Sequence, residues 1–157
     1  MKKKRVVIIS LLLLLVSVIG ISSYFLFKDK INLLDVDHSA VDWNGKKQKD
    51  TNGEENTIAI PGFEKVTLYA NETTQAVNFH NPEINDCYFK ISLIHPDGSV
   101  LWISDLIEPG KGMYSIELEK TLAVGEYENA VLKYECFSLN DQSPLNGSEI
   151  NLKLVVV

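Results

Sequence analysis

From residue 57 to the end of the chain, apolar and polar side chains change places at almost every step. In CYFKISLI, residues 87–94, Cys87, Phe89, Ile91 and Leu93 share one face, while Lys90 and Ser92 lie on the other. Side chains of an extended strand point to opposite faces in turn, so this alternation predicts a half-buried strand. The same reading applies to SVLWIS (99–104), MYSIELE (113–119), VGEYENAVLKYECF (124–137) and NGSEINLKLVVV (146–157). Upstream, TIAI (57–60), KVTLYA (65–70) and QAVNFH (75–80) add three shorter strands. Turn residues punctuate them: Pro61-Gly62, Asn71-Glu72-Thr73, Asp97-Gly98 and Pro109-Gly110, the last two suited to the positive φ of tight turns. No stretch here holds a helical period. The expectation is an all-β, antiparallel sandwich of about 7–8 strands in one domain, residues 57–157.

The first thirty residues follow a different rule. Basic residues 2–5 precede an uncharged apolar run, residues 6–27. As a helix that run would span about 33 Å, close to the hydrocarbon thickness of a bilayer. Gly20-Ile21-Ser22 could serve as a signal cleavage site, but the apolar run continues through Tyr24, Phe25, Leu26 and Phe27. An uncleaved transmembrane anchor is therefore expected over a removed signal peptide. The positive residues place 1–5 in the cytoplasm and the rest outside, a single-pass plasma-membrane topology. Residues 28–56 read as a flexible tether, because GKKQKDTNGEEN (45–56) has no apolar residue and cannot bury enough surface to fold.

Charge narrows the partners. Residues 1–5 carry +4, residues 28–56 carry −2 and residues 57–157 carry −8, within a net −6. A domain this acidic repels phosphate backbones, so nucleic acid is not an expected partner.

The chain has two cysteines. Cys87 lies on the face of Phe89 and Ile91, and Cys136 on the face of Leu132 and Tyr134, so both thiols are expected inside. Outside the cell two inward cysteines favour a disulfide, with two buried free thiols as the alternative. The order Cys87, Trp102, Tyr134-Glu135-Cys136 resembles that of an immunoglobulin-type sandwich. LAVGEY, residues 122–127, is similar to the L-x-x-G-x-Y lead-in to a late strand in bacterial Ig-like and fibronectin type III-like domains. That resemblance implies a core of Phe89, Ile91, Trp102, Leu132 and Tyr134 and an inter-sheet bridge between Cys87 and Cys136. The whole chain also resembles small membrane-anchored proteins of low-GC Gram-positive bacteria. Its single arginine against fourteen lysines fits that source.

Catalytic chemistry finds little support. A cysteine nucleophile needs an accessible thiolate and a base; His80 and His95 are available, but both thiols are expected inward. Cys87, Cys136, His80 and His95 lack the short paired spacings of a zinc site. A calcium loop beginning at Gln48 would lack its first anionic ligand, and its twelfth position is Ala59. No glycine-rich phosphate motif is present. Glu117 and Glu119 share a strand face, the minimum for a polysaccharide hydrolase, yet an acidic solvent face explains them as well.

The expected protein is thus no enzyme, with no catalytic residue, metal or cofactor. It is an extracytoplasmic interaction module contacting a protein or envelope partner through loops or strand edges. Candidate contacts are Asp97, Gly98, Pro109, Gly110, Asn140, Asp141, Pro144 and Asn146, with the polar run NDQSPLNG (140–147) prominent among them. The second reading is an assembly subunit of a secretion or conjugation machine.

Overall fold

Strands account for every regular element of the computed structural model, which describes residues 33–45 and 57–157. The expected basic end (1–5), membrane span (6–27) and parts of the tether (28–32 and 46–56) lie outside the described residues. In chain order the strands are β1 (Val41–Asp42), β2 (Lys65–Leu68), β3 (Thr74–His80), β4 (Cys87–Ile94), β5 (Val100–Ile103), β6 (Lys111–Glu117), β7 (Gly125–Ser138) and β8 (Pro144–Val156). They form two sheets, one ordered β1-β6-β3 and the other β2-β8-β7-β4-β5. Neighbours pair antiparallel except β2 and β8, which run parallel.

Period two turns directly into a core. Cys87, Phe89, Ile91 and Leu93 of β4 face inward beside Ala130, Leu132, Tyr134 and Cys136 of β7 and Leu152, Leu154 and Val156 of β8. Phe79, Met113 and Ile116 close the core from the three-stranded sheet. Ring contacts knit it together: Phe79 lies 5.8 Å from Trp102, and Phe89 meets Tyr134 edge-on at 5.3 Å. Burying a side chain of this size contributes about 1.5–3 kcal/mol. Phe89, Ile91, Trp102, Leu132 and Tyr134 are all buried.

Glycine and asparagine supply the backbone conformations the turns demand. Gly98 and Gly110 have φ of 86° and 77°, within turns closed by Gly98 N–H to His95 O and Lys111 N–H to Glu108 O. Asn129, φ 62°, sits where the β7–β8 register shifts between Tyr127 and Ala130. Asparagine tolerates this left-handed conformation better than most residues, and an extra residue there bends the strand.

Two expectations need correction. TIAI forms no strand, because Asn85 captures its backbone: Ala59 N–H donates to Asn85 Oδ1 at 2.8 Å and Asn85 Nδ2 donates to Ala59 O at 3.0 Å. A side chain thus satisfies the groups a neighbouring strand would otherwise take. Part of the stretch expected as flexible tether is ordered. Residues 34–43 lie on the sandwich, with Val41 and Asp42 opposite Gly112 and Lys111 of β6 and a parallel bridge from Val36 to Leu106. Backbone bonding and one tryptophan hold this segment, neither of which needs an alternating pattern.

Gly147 is required where β8 passes the register shift between Tyr134 and Cys136. A Cβ there would lie 2.2 Å from the Tyr134 carbonyl oxygen. Gly147→Ala should therefore destabilise the domain by about 1–3 kcal/mol, read as a lower urea midpoint.

Candidate functional site

The antiparallel registers sort the connections between two ends. Cys87 lies opposite Ser138, and Asn81 N–H donates to Lys111 O, so residues 81–86, 104–110 and 139–143 gather at one end. Ile94 opposite Val131, Gly125 opposite Val156 and Leu118 N–H to Thr73 O put residues 69–73, 95–99 and 118–124 at the other. The expected contact residues are consequently divided. Asp97 and Gly98 occupy one end, and Pro109, Gly110, Asn140 and Asp141 the opposite one. Pro144 and Asn146 belong to no loop at all: they are part of β8, where Pro144 faces Phe137 as the first strand residue, a position that tolerates its missing N–H.

The most organised loop is 81–86, which the alternation pattern passed over. Asn81 is fully buried, and its Nδ2 donates to Cys87 O at 2.8 Å and Ile107 O at 2.9 Å. Its own backbone carbonyl accepts from Gly110 N–H at 2.8 Å. Asn85, also buried, donates from Nδ2 to Asn81 Oδ1 at 2.8 Å while holding both backbone groups of Ala59. With its amides turned inward, the loop turns Glu83, Ile84 and Asp86 outward, and Ile84 is 72% exposed. The signal for this loop was present as NPEIND, a cluster of turn formers around one isoleucine.

The segment 34–43 completes this end. Gln142, at φ 55°, grips Leu34 as a strand would: Leu34 N–H donates to Oε1 at 2.6 Å and Nε2 donates to Leu34 O at 3.0 Å. Asp37 accepts from Ser39 N–H at 3.0 Å and Asp105 N–H at 3.2 Å. Asp42 accepts from the Lys111 ammonium, and that bond holds its carboxyl below the usual range. Trp43 N–H donates to Gly110 O at 2.9 Å, and its indole Nε1 donates to Asn78 Oδ1 at 2.7 Å. The indole stacks on His80 with ring centres 3.8 Å apart. The connections at this end carry Asp35, Asp37, Asp42, Glu83, Asp86, Asp105, Glu108 and Asp141, against Lys111 as their lysine.

The opposite end is a tight hairpin. Asp97 accepts from Ser99 N–H at 2.8 Å and lies 3.0 Å from the His95 Nδ1. Bonding to Ser99 and then to His95 holds its carboxyl far below the usual range. His95 meets Tyr127 edge-on at 5.1 Å.

The cysteines are free and buried. They lie on adjacent strands of one sheet and two residues out of register, Cys87 opposite Ser138 and Cys136 opposite Phe89. Diagonal neighbours in an antiparallel pair have Cα atoms about 7–8 Å apart, at or beyond what a disulfide spans without backbone movement. Both thiols stand free, and the pair lies within one sheet and does not join the two. Contact with the Cys87 sulfur and burial push the Cys136 thiol pKa up, which suits a small core residue. Glu117 and Glu119 also part company. Glu117 accepts from Thr74 Oγ1 on β3 at 2.7 Å, while Glu119 N–H donates to Leu101 O on β5, in the other sheet. Among the described residues no three His, Cys, Asp or Glu side chains gather as metal ligands would. No protein-family model and no curated protein matches this chain.

Asn85→Ala strands both backbone groups of Ala59 and the Asn81 Oδ1, and should destabilise the domain by about 2–4 kcal/mol, measured by thermal or urea unfolding. Thiol titration without reductant should find both cysteines unreactive in the native domain and both reactive once it is unfolded.

Proposed function

We propose that this chain is a non-catalytic interaction module, an immunoglobulin-like sandwich held outside the membrane by its N-terminal apolar segment. It engages a protein or envelope partner through the end that carries Ile84. The observation that carries this reading is the 81–86 loop. A large apolar side chain stands 72% exposed on a backbone that two buried asparagines hold in place. A preordered anchor loses little conformational freedom on docking, the condition under which one side chain contributes strongly to affinity. The surrounding carboxylates favour a partner with an apolar pocket rimmed by lysine or arginine.

The immunoglobulin-like assignment draws on strand order and on one tyrosine. The first strand of the larger sheet runs parallel to the last, beside β7, β4 and β5. Tyr127, within the L-x-x-G-x-Y run, donates from its hydroxyl to Ala123 O at 2.9 Å, the contact of a tyrosine corner. Tyr134, in the position two before the second cysteine, instead donates to Pro61 O at 3.3 Å from within the core. Against a strict antibody-type pattern stand the free cysteines sharing one sheet.

A photo-reactive residue at position 84 of the full chain should cross-link a discrete partner on intact cells, whereas one at position 97 should not. Ile84→Asp should weaken that capture by about 10- to 100-fold, as loss of an interface anchor does. Capture from position 97 with none from 84 would reverse the assignment of ends.

A further inference from the structure

Among the described residues, one buried side-chain nitrogen or oxygen has no hydrogen-bond partner: Nδ1 of His80. The imidazole is 4% exposed, although it lies on the face of β3 opposite the core residue Phe79. Trp43 is what covers it. The two rings stack at 3.8 Å with their planes 10° apart. The indole reaches His80 by passing over Gly112, where a Cβ would lie 2.8 Å from Trp43 Cδ1 and 3.0 Å from His80 Cβ. The absence of a side chain at 112 therefore makes the stack. The stack in turn secures residues 41–45, whose ladder with β6 is only two residues long.

We propose that His80 is a proton-operated latch: protonation of its imidazole in mildly acidic surroundings lifts Trp43 and frees residues 41–45 from β6. This inference rests on the contacts of the segment and not on the partner reading above. A protonated imidazole is a donor at both nitrogens, and Nδ1 has no acceptor within the closed stack. A buried donor without an acceptor, carrying charge as well, is costly, and opening the stack to water removes that cost.

Among the described residues no carboxylate forms an ion pair with His80. On the covering segment the nearest carboxylate in sequence is Asp42, already bound to Lys111 of β6. The side chains bonded to the indole and to its neighbour Asn44 are neutral: Asn78 on β3 and Tyr114 of β6. Burial accordingly holds the imidazole pKa below its ordinary value, opposed by the Asn78 backbone. With the closed-state pKa lowered from about 6.5, the open segment binds more protons than the closed one. Closure is fully favoured above about pH 6.5 and weakens as pH falls toward the closed-state pKa, the opening constant rising by up to about tenfold per pH unit. The opposing force is attraction between an imidazolium and the indole face, which would tighten the segment in acid.

Hydrogen exchange on the full chain, corrected for the intrinsic pH dependence of amide exchange, separates these outcomes. Between pH 7.5 and 5.5 the opening of residues 41–43 should rise several-fold to about tenfold, with amides of β4 unchanged. His80→Phe keeps a ring under Trp43 and should abolish the pH dependence. His38→Gln, on the same segment, should leave it intact. On the unaltered chain, the Trp43 indole N–H and the His80 ring resonances should titrate together, a measurement that does not depend on a variant folding. Opening that ignores pH, persists in His80→Phe or decreases in acid would overturn the latch.

Discussion

Everything at the acidic end of the sandwich depends on one side chain, the amide of Asn81. The two sheets of such a fold leave backbone groups at their rims with no strand to pair with, and a buried one that stays unpaired costs about 1–3 kcal/mol. Asn81 makes four backbone contacts at this rim. Its side chain takes the carbonyls of Cys87 and Ile107, while its main chain bonds Lys111 O and Gly110 N–H. β3, β4 and the 104–110 connection are thereby fixed to one another, and Asn85 extends the same arrangement to residues 57–60. The exposed Ile84 is well placed because its neighbours on either side are so fully occupied.

Side-chain amides standing in for backbone recur across the molecule. Gln142 pairs with Leu34, Asn85 with Ala59 and Gln75 with Tyr69, each giving one donor and one acceptor to the backbone N–H and C=O of a single residue. Each satisfies backbone groups without a strand. They also explain how segments that form little or no strand, 34–45 and 57–64, are held against a core built on alternation.

This division accounts for what could be read from the chain alone. The five strands beginning at Cys87, Val100, Lys111, Gly125 and Pro144 announce themselves because burial of alternate residues is written into composition. Asp97-Gly98 and Pro109-Gly110 do so because positive φ selects glycine. The pairing of residues 41–42 left no such trace, since Val41 is exposed and the anchoring indole meets its partner 37 positions away. TIAI looked like a strand because β-branched residues suit one; only the distant Asn85 decides otherwise. Direction of the thiols was legible from period two, but their register was not: they share one sheet, two residues out of step.

The placement of β8 has a consequence for how the domain comes into being. It is the last strand in sequence, yet it lies inside the larger sheet, between β2 and β7. β2 has no other neighbour in that sheet, so a segment synthesised early waits for residues 153–156 before its backbone is satisfied. A chain delivered amino-terminus first, whether from a ribosome or through a translocation pore, holds Val66 and Leu68 without their β8 partners for about half of its passage. Pairing this remote in sequence closes slowly. Assembly is therefore a single late event rather than a stepwise one, and the interval before it is when the nascent polypeptide most needs shielding from its own kind.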